Sequence, residues 1–326
     1  ASGPGLMPDY AFPADVTREK INSMGDARYI LNQLDNHHPR LQVWNEWAET
    51  VFSDQDWWPY LNDMMHLAYA RMCHRNGSFS HQPRSYHNEF HCNDLCHRLI
   101  ECHSHCAQLF TPLNWALLSY FSVCHDLQQG LPGNHRDQRL VGANEAASFI
   151  EARQIMDLIV TDESHCALSQ ATQVLLLKTM IEGSTFGRHG DNKRYFFQGN
   201  IAKHLLKNTP MNSEEDRQLV YLACDIDTAN VSLPFNEYAR SAIRVYDELK
   251  AHRLIKVSAR VFFSDEQINY FFNQQQFNSE PAKELFQPRK LNNAPLLEKT
   301  VAAVKALPEE SDDDTIKHTF FTWEKE

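Results

Sequence analysis

The feature that most constrains the fold of this chain is the helical spacing of its apolar residues. In the segment YLNDMMHLAYARMC, five apolar residues fall on one face of a helix: Leu61, Met64, Met65, Ala68 and Met72. Most other segments repeat this spacing, and only 11 glycines interrupt the 326 residues. The spacing therefore predicts an all-α fold, built as a single compact helical domain.

The same spacing predicts further helices at 24–34, 41–52, 88–110, 113–126, 143–160, 168–183, 214–231, 235–256, 264–275 and 293–307. With 42% hydrophobic residues, the chain can bury a large core. We predict one helical domain over residues 20–290, followed by a C-terminal helix and acidic tail over 291–326. The acidic block in PEESDDDTIKHTFFTWEKE predicts a tail that lies on the surface or is partly disordered.

Composition excludes some classes of partner. Lys and Arg number 31 against 42 Asp and Glu, a net charge of -11, so we expect no binding of nucleic-acid duplexes through phosphate neutralisation. The longest nearly apolar run, at 113–124, is too short to span a bilayer, so no membrane partner is predicted. Eight cysteines without regular spacing indicate reduced thiols and a cytoplasmic protein, or one delivered to a host cytosol if it is a secreted effector.

Two loops rich in glycine and proline, at 128–142 and 182–194, are candidate rims of a site. The second loop contains Arg188 and His189, which could grip an anion above the site. The alternative is a solvated turn.

The stretch RSYHNEFHCNDL, at 84–95, places His87 and His91 four residues apart. Two imidazoles on one helix face suggest a chemical role, although a polar helix face is the plain alternative.

The nearby segment HCNDLCHRLIECHSHC, at 91–106, is rich in cysteine and histidine, as a zinc module would be. Zinc modules need turns between ligand pairs, and no glycine or proline occurs from 85 to 111, so we predict one continuous helix with its cysteines in the core.

Two other segments supply candidate metal ligands. His125 and Asp126, in SVCHDLQQG, stand where an apolar helix meets a loop, and Asp225, in YLACDIDTANVS, stands among small and apolar residues where an unpaired carboxylate is costly. Asp227 is the alternative to Asp225. Together with His91 they form a mixed nitrogen and oxygen set that suits one or two divalent ions, and such a set does not select among Mg, Mn, Fe, Zn and Ni.

This order of motifs resembles the HD superfamily of metal-dependent phosphohydrolases, over about residues 40–285. YHNEFH is similar to a motif of the class I cyclic-nucleotide phosphodiesterases, whose first histidine is a general acid and whose second is a metal ligand. The resemblance implies that His87 is the acid and His91 a ligand. Glu145, in NEAAS, is our candidate for the residue that orients the attacking water; a first-turn acid favoured by the helix dipole is the alternative.

The candidate substrate contacts are Arg84 and Tyr86 of the motif that carries the resemblance, Gln129, and Arg188 and His189 of the second loop. Gln129 stands where the phosphodiesterases carry a further histidine. The implied function is hydrolysis of a phosphodiester or phosphomonoester in a nucleotide-like substrate. A phosphodiesterase acting on a protein-linked nucleotide or phosphoribosyl group, and a catalytically weak module that senses a nucleotide, are the alternatives.

Overall fold

The computed structural model describes residues 15–130, 142–162, 166–190, 196–209, 211 and 213–322. These residues are mostly helical, which confirms the all-α prediction. The helices are Val16–Lys20 (α1), Met24–Asn32 (α2), Gln42–Phe52 (α3), Trp58–Arg75 (α4), Glu89–Cys106 (α5), Pro112–Cys124 (α6), Ala143–Ile159 (α7), Ala171–Gly183 (α8), Ala202–Asn208 (α9), Glu214–Asp227 (α10), Phe235–Ala251 (α11), Ala259–Val261 (α12), Gln267–Asn269 (α13), Glu280–Leu285 (α14), Gln287–Ala306 (α15) and Asp313–Thr322 (α16).

The chain divides into two compact units, Ala1–Cys224 and Asp225–Glu326. The division falls inside α10, which runs without a break to Asp227, so Asp227 is carried by a helix that begins in the first unit. Residue 290, where we predicted the domain to end, lies inside α15.

In the first unit, α6 packs against α4, α5, α7 and α8. Thr111 accepts a hydrogen bond from the backbone N–H of Asn114, and Pro112 takes the first helical position, so the helix has a well-defined start. Every residue from Asn114 to Cys124 is buried, as expected for a helix that is apolar all round. Among the helices of the described ranges, none is both long and apolar enough to cross a membrane.

In the second unit, the C-terminal tail is ordered by its own apolar residues. Ile316 and Phe320 of α16 are buried, and the Phe320 ring lies 5.0 Å from that of Phe263. The backbone N–H of Thr315 donates to Oδ1 of Asp312, so part of the acidic block caps the helix. The alternative of a partly disordered tail was therefore wrong for residues 313–322, whereas the mostly half-buried or exposed side chains of 313–321 agree with a helix that lies on the surface.

A short hairpin replaces much of the loop predicted at 182–194. Phe186–Gly190 (β1) pairs antiparallel with Phe196–Asn200 (β2) and forms a two-stranded sheet. Arg188 and His189 belong to β1, but their side chains lie outside the described part of the structure. Their proposed contacts with a substrate remain predictions.

The eight cysteines are all free thiols, and only Cys106 is partly exposed. Four of them lie on α5, which is one continuous helix, as predicted. Cys92, Cys96 and Cys102 pack in the core, so the cysteine-rich segment does not form a zinc module.

Lys290 in the second unit should make stability depend on pH. Its Nζ is buried, donates to the carbonyl oxygen of Gln275 at 2.8 Å, and burial lowers its pKa from 10.5 to about 8. Between pH 8 and 10 the unfolded chain thus binds more protons at this lysine than the folded chain, so the contribution of Lys290 to stability rises with pH. We expect Lys290→Met to flatten the rise of the unfolding free energy in urea over this window. Lys299→Met, at an exposed position of the same helix, should leave the slope unchanged, and equal slopes for the two variants would contradict the prediction.

Candidate metal centre

The start of α5 places His91 in the candidate site. The side chain of Asn88 accepts hydrogen bonds from the backbone N–H groups of Phe90 and His91, so Asn88 caps the helix and Glu89 is its first residue. His87 therefore precedes the helix, and the prediction that His87 and His91 share a helix face was wrong. Their rings are nevertheless 6.1 Å apart, because the chain turns sharply into the cap.

The end of α6 supplies the next two candidate ligands. His125 is buried, its ring stacks on Phe121, and its Nδ1 lies 3.1 Å from the carbonyl oxygen of Phe121. A hydrogen bond from Nδ1 to that oxygen leaves Nε2 as the nitrogen available to a metal. This Nε2 lies 2.9 Å from Oδ2 of Asp126, and Nε2 of His91 lies 3.5 Å from the same oxygen.

Asp227, on the last turn of α10, completes the cluster. One ligand atom each from His91, His125, Asp126 and Asp227 lies within 4.8 Å of all the others. Metal–ligand bonds of about 2 Å bring ligand atoms to roughly 3 Å apart, so small side-chain movements would suffice. Two neutral imidazoles and two carboxylates also balance a divalent ion in charge. These residues therefore fit a divalent metal.

Asp225, our predicted ligand, faces a different environment. Its Oδ2 accepts hydrogen bonds from the backbone N–H groups of Asn278 and Ser279, at 3.0 and 2.8 Å, and from the Ser279 hydroxyl at 2.7 Å. Burial raises the pKa of Asp225 to about 7, although these hydrogen bonds lower it. Two residues turn a helix by about 200°, so Asp225 and Asp227 point to opposite sides of α10. The choice of Asp225 over Asp227 is therefore corrected.

A buried ionic network holds the segment that follows Asp126. Glu151 of α7 accepts hydrogen bonds from Arg71 at 3.0 Å, from Arg75 at 2.8 and 3.1 Å, and from the side-chain amide of Gln128 at 2.7 Å. The backbone N–H of Gln128 also donates to the Ser148 hydroxyl. Because the chain is fixed two residues beyond Asp126, its carboxylate is held in position.

Glu145, in the first turn of α7, and Thr185 supply two further oxygens in the first unit. The pKa of Glu145 is raised to about 7, chiefly by burial and also by the Asp126 carboxylate, while His125 and His87 act to lower it. Within the described residues, neither Oε2 of Glu145 nor Oγ1 of Thr185 has a hydrogen-bond partner. Both lie within 2.4 Å of the point where a Cβ on Gly142 would stand, so they are close neighbours. Thr185 was not predicted from the sequence, because a single threonine belongs to no recognisable motif.

Three predicted substrate contacts lie near the cluster. The Tyr86 ring is 4.8 Å from the His91 ring, and Nη2 of Arg84 lies close to Gly130, in the loop after Asp126. Nε2 of Gln129 donates to Oδ1 of Asp126 at 3.2 Å. Gln129 therefore contacts a candidate ligand directly, which the sequence did not predict.

Two comparisons with known proteins found no match. No model of a protein family matches the chain, and no curated protein matches it. The chemistry of the site has to be inferred from its own residues.

Proposed function

We propose that this protein is a metal-dependent hydrolase of a phosphodiester or phosphomonoester in a nucleotide-like substrate. The observation that carries the proposal is the convergence of His91, His125, Asp126 and Asp227, with the His87 ring 6.1 Å from the His91 ring. Carboxylates and imidazoles of this kind hold divalent metals that activate water. The order of these motifs along the chain, which resembles the HD superfamily, supports the same reaction class.

A divalent metal held here would lower the pKa of a water molecule and neutralise phosphate oxygens. The residues beside it perform the proton transfers. Glu145, whose Oε2 has no partner in the described structure, accepts a proton from the attacking water as the water oxygen bonds to phosphorus. His87 donates a proton to the leaving oxygen as the old phosphorus–oxygen bond breaks. Protons and electron pairs are thereby balanced in one displacement.

Two of the neighbouring residues favour a nucleotide-like ester. The Arg84 guanidinium is a donor suited to a phosphate oxygen, and the Tyr86 ring offers an aromatic surface beside His91. A sugar phosphate with an attached base would use both.

The proposal is tested by elemental analysis of the purified protein together with a panel of substrates. We expect bound divalent metal and turnover of bis(p-nitrophenyl) phosphate, p-nitrophenyl phosphate or a nucleotide ester after loading with Mg, Mn, Fe, Zn or Ni. Absence of turnover with every one of these metals, despite metal at the site, would overturn the hydrolase and leave a binding module.

The second candidate function, a nucleotide-sensing module, is favoured by Gln129. Its side-chain amide donates to Oδ1 of Asp126, and this occupies an oxygen that could bind a second ion. A two-metal hydrolase needs such an oxygen to clamp ions about 3.5–4 Å apart. Nucleotide binding in calorimetry without turnover would favour the module.

The two histidines of the opening motif should behave differently when replaced. His91→Ala should lose metal and activity together, because it removes a ligand. His87→Ala should keep the metal and lower turnover by about 10²–10⁴-fold, as loss of a general acid does. A substrate with a nitrophenolate leaving group needs little protonation and should recover much of that loss. If His87→Ala strips the metal, or if the activated substrate gains nothing, His87 is not the acid.

A further inference from the structure

A second cluster of metal-binding side chains lies in the first unit, apart from the proposed hydrolytic site. His38, in the turn between α2 and α3, Cys73, near the end of α4, and Glu89, the first residue of α5, each place one ligand atom within 4.8 Å of the other two. Cys73 and Glu89 are fully buried, and the His38 side chain is 4% exposed. The cluster therefore combines sulfur, nitrogen and oxygen donors away from solvent.

The Glu89 carboxylate has an unsatisfied oxygen. Oε2 accepts from the Ser78 backbone N–H at 3.3 Å and contacts Nε2 of His38 at 3.2 Å. Oε1 is buried and, within the part of the chain that the structure describes, has no hydrogen-bond partner. A buried carboxylate oxygen without a partner is costly, and the polar groups that face this carboxylate are the His38 ring, the Ser78 N–H and the Cys73 thiol. A cation would remove this cost.

Gly77 shapes the pocket around this oxygen. A Cβ on Gly77 would lie 1.8 Å from Oε1 of Glu89, so any side chain at this position would displace the carboxylate. Glycine at this position allows the carboxylate to reach the cluster.

Zinc suits this donor set better than Mg or Ca, which prefer oxygen ligands alone. Zinc bonds of about 2.0–2.3 Å in a tetrahedron place ligand atoms roughly 3.3–3.7 Å apart, close to the 3.2 Å between Nε2 of His38 and Oε2 of Glu89. The second Glu89 oxygen or a water would fill the fourth position.

Zinc binding here has two identifiable opponents. The first is the proton of the Cys73 thiol, which zinc must displace and whose pKa is raised by burial and by the Glu89 carboxylate. The second lies at His38. Nδ1 of His38 accepts a hydrogen bond from the backbone N–H of Arg40 at 2.9 Å, so the neutral ring carries its proton on Nε2. Coordination through Nε2 moves that proton to Nδ1 and gives up the contact with Arg40. A structural zinc ion contributes several times the free energy of one backbone hydrogen bond, so the exchange favours the metal.

We propose that His38, Cys73 and Glu89 form a structural zinc site, separate from the proposed hydrolytic centre. Zinc would tie the turn after α2 and the end of α4 to the first residue of α5. Because Glu89 stands two residues before His91, this site would also fix the start of the helix that carries His91.

Cobalt substitution tests the site, because a thiolate bound to Co²⁺ gives a charge-transfer band in the near ultraviolet that nitrogen and oxygen ligands do not give. We expect the full-length protein, reconstituted with Co²⁺, to show this band. Cys73→Ser and Glu89→Gln should each weaken or abolish it and lower zinc content by about one ion per chain. Cys96→Ser, which removes a buried thiol of α5 outside the proposed site, should keep both the band and the zinc content. Asp227→Asn should keep the band while losing any ion at the other cluster.

A wild-type protein without the band, or a band that persists in Cys73→Ser, would overturn the zinc site and leave a hydrogen-bonded trio. If Cys73→Ser does not fold, the Glu89→Gln variant decides, together with the zinc X-ray absorption spectrum of the wild-type protein. That spectrum should show one sulfur at about 2.3 Å, and a spectrum with no sulfur neighbour would reject the site. The hydrolase proposal can fail independently, since it predicts nothing about sulfur ligation.

Discussion

Asp227→Asn should remove the metal ion from the proposed hydrolytic site and abolish hydrolysis. The substitution replaces one of four clustered ligands with a neutral amide, which binds divalent ions weakly. Residues outside the ligand set typically change metal affinity by about 10–100-fold, and loss of a ligand itself should exceed that range. Calorimetric titration with Mn²⁺ and a turnover assay on bis(p-nitrophenyl) phosphate measure the two effects.

Asp225→Asn is the matched control, two residues earlier on the same helix. We expect it to keep the metal but to destabilise the second unit, because an amide nitrogen would face some of the three donors from Asn278 and Ser279. An unsatisfied buried donor costs about 1–3 kcal/mol. If Asp225→Asn loses the metal and Asp227→Asn keeps it, then Asp225 and not Asp227 is the metal ligand.

Glu151→Gln should have the largest effect on stability among the substitutions considered. Arg71 is 2% exposed, and both Arg71 and Arg75 lose their shared carboxylate in this variant. Breaking a buried ion pair by removing one partner typically costs about 3–5 kcal/mol, because the remaining charge stays buried. Urea unfolding followed by circular dichroism should show a lower midpoint by a corresponding amount.

Asp157→Asn provides the comparison on the same helix. Asp157 pairs with Arg153 one turn away, and both side chains are substantially exposed. Such pairs contribute about 0.3–0.5 kcal/mol, so this variant should unfold close to the wild-type midpoint. If Glu151→Gln unfolds at the same urea concentration as Asp157→Asn, the network does not stabilise the first unit.

The sequence could predict three of the four clustered ligands, because each stands at a recognisable place. His91 follows a capping asparagine, and His125 and Asp126 follow the most apolar helix. It could not choose between Asp225 and Asp227. Both lie in the same apolar segment, and Asp225 is indeed the more buried. Its partners Asn278 and Ser279 lie more than fifty residues away, and no local pattern indicates such contacts.

The helical fold followed from periodicity, but two other elements depended on contacts that periodicity does not encode. Among the described residues, the strands at 186–190 and 196–200 pair only with each other, and neither has a long alternating pattern. The C-terminal helix has few apolar residues, and burial of Phe320 gives it a place in the second unit. The cluster of His38, Cys73 and Glu89 could not be predicted from the sequence either, because three separate chain segments supply one ligand each.

The buried cysteines of this protein can report which of its helices open in solution. Seven of the eight cysteines are buried and lie between residues 73 and 224 of the first unit, whereas Cys106 is partly exposed. An alkylating reagent should therefore label one position in the native state, and the remaining labels should appear only as helices open. Mass spectrometry of individual cysteine peptides would then rank the opening free energies of α4, α5 and α6 without any added probe.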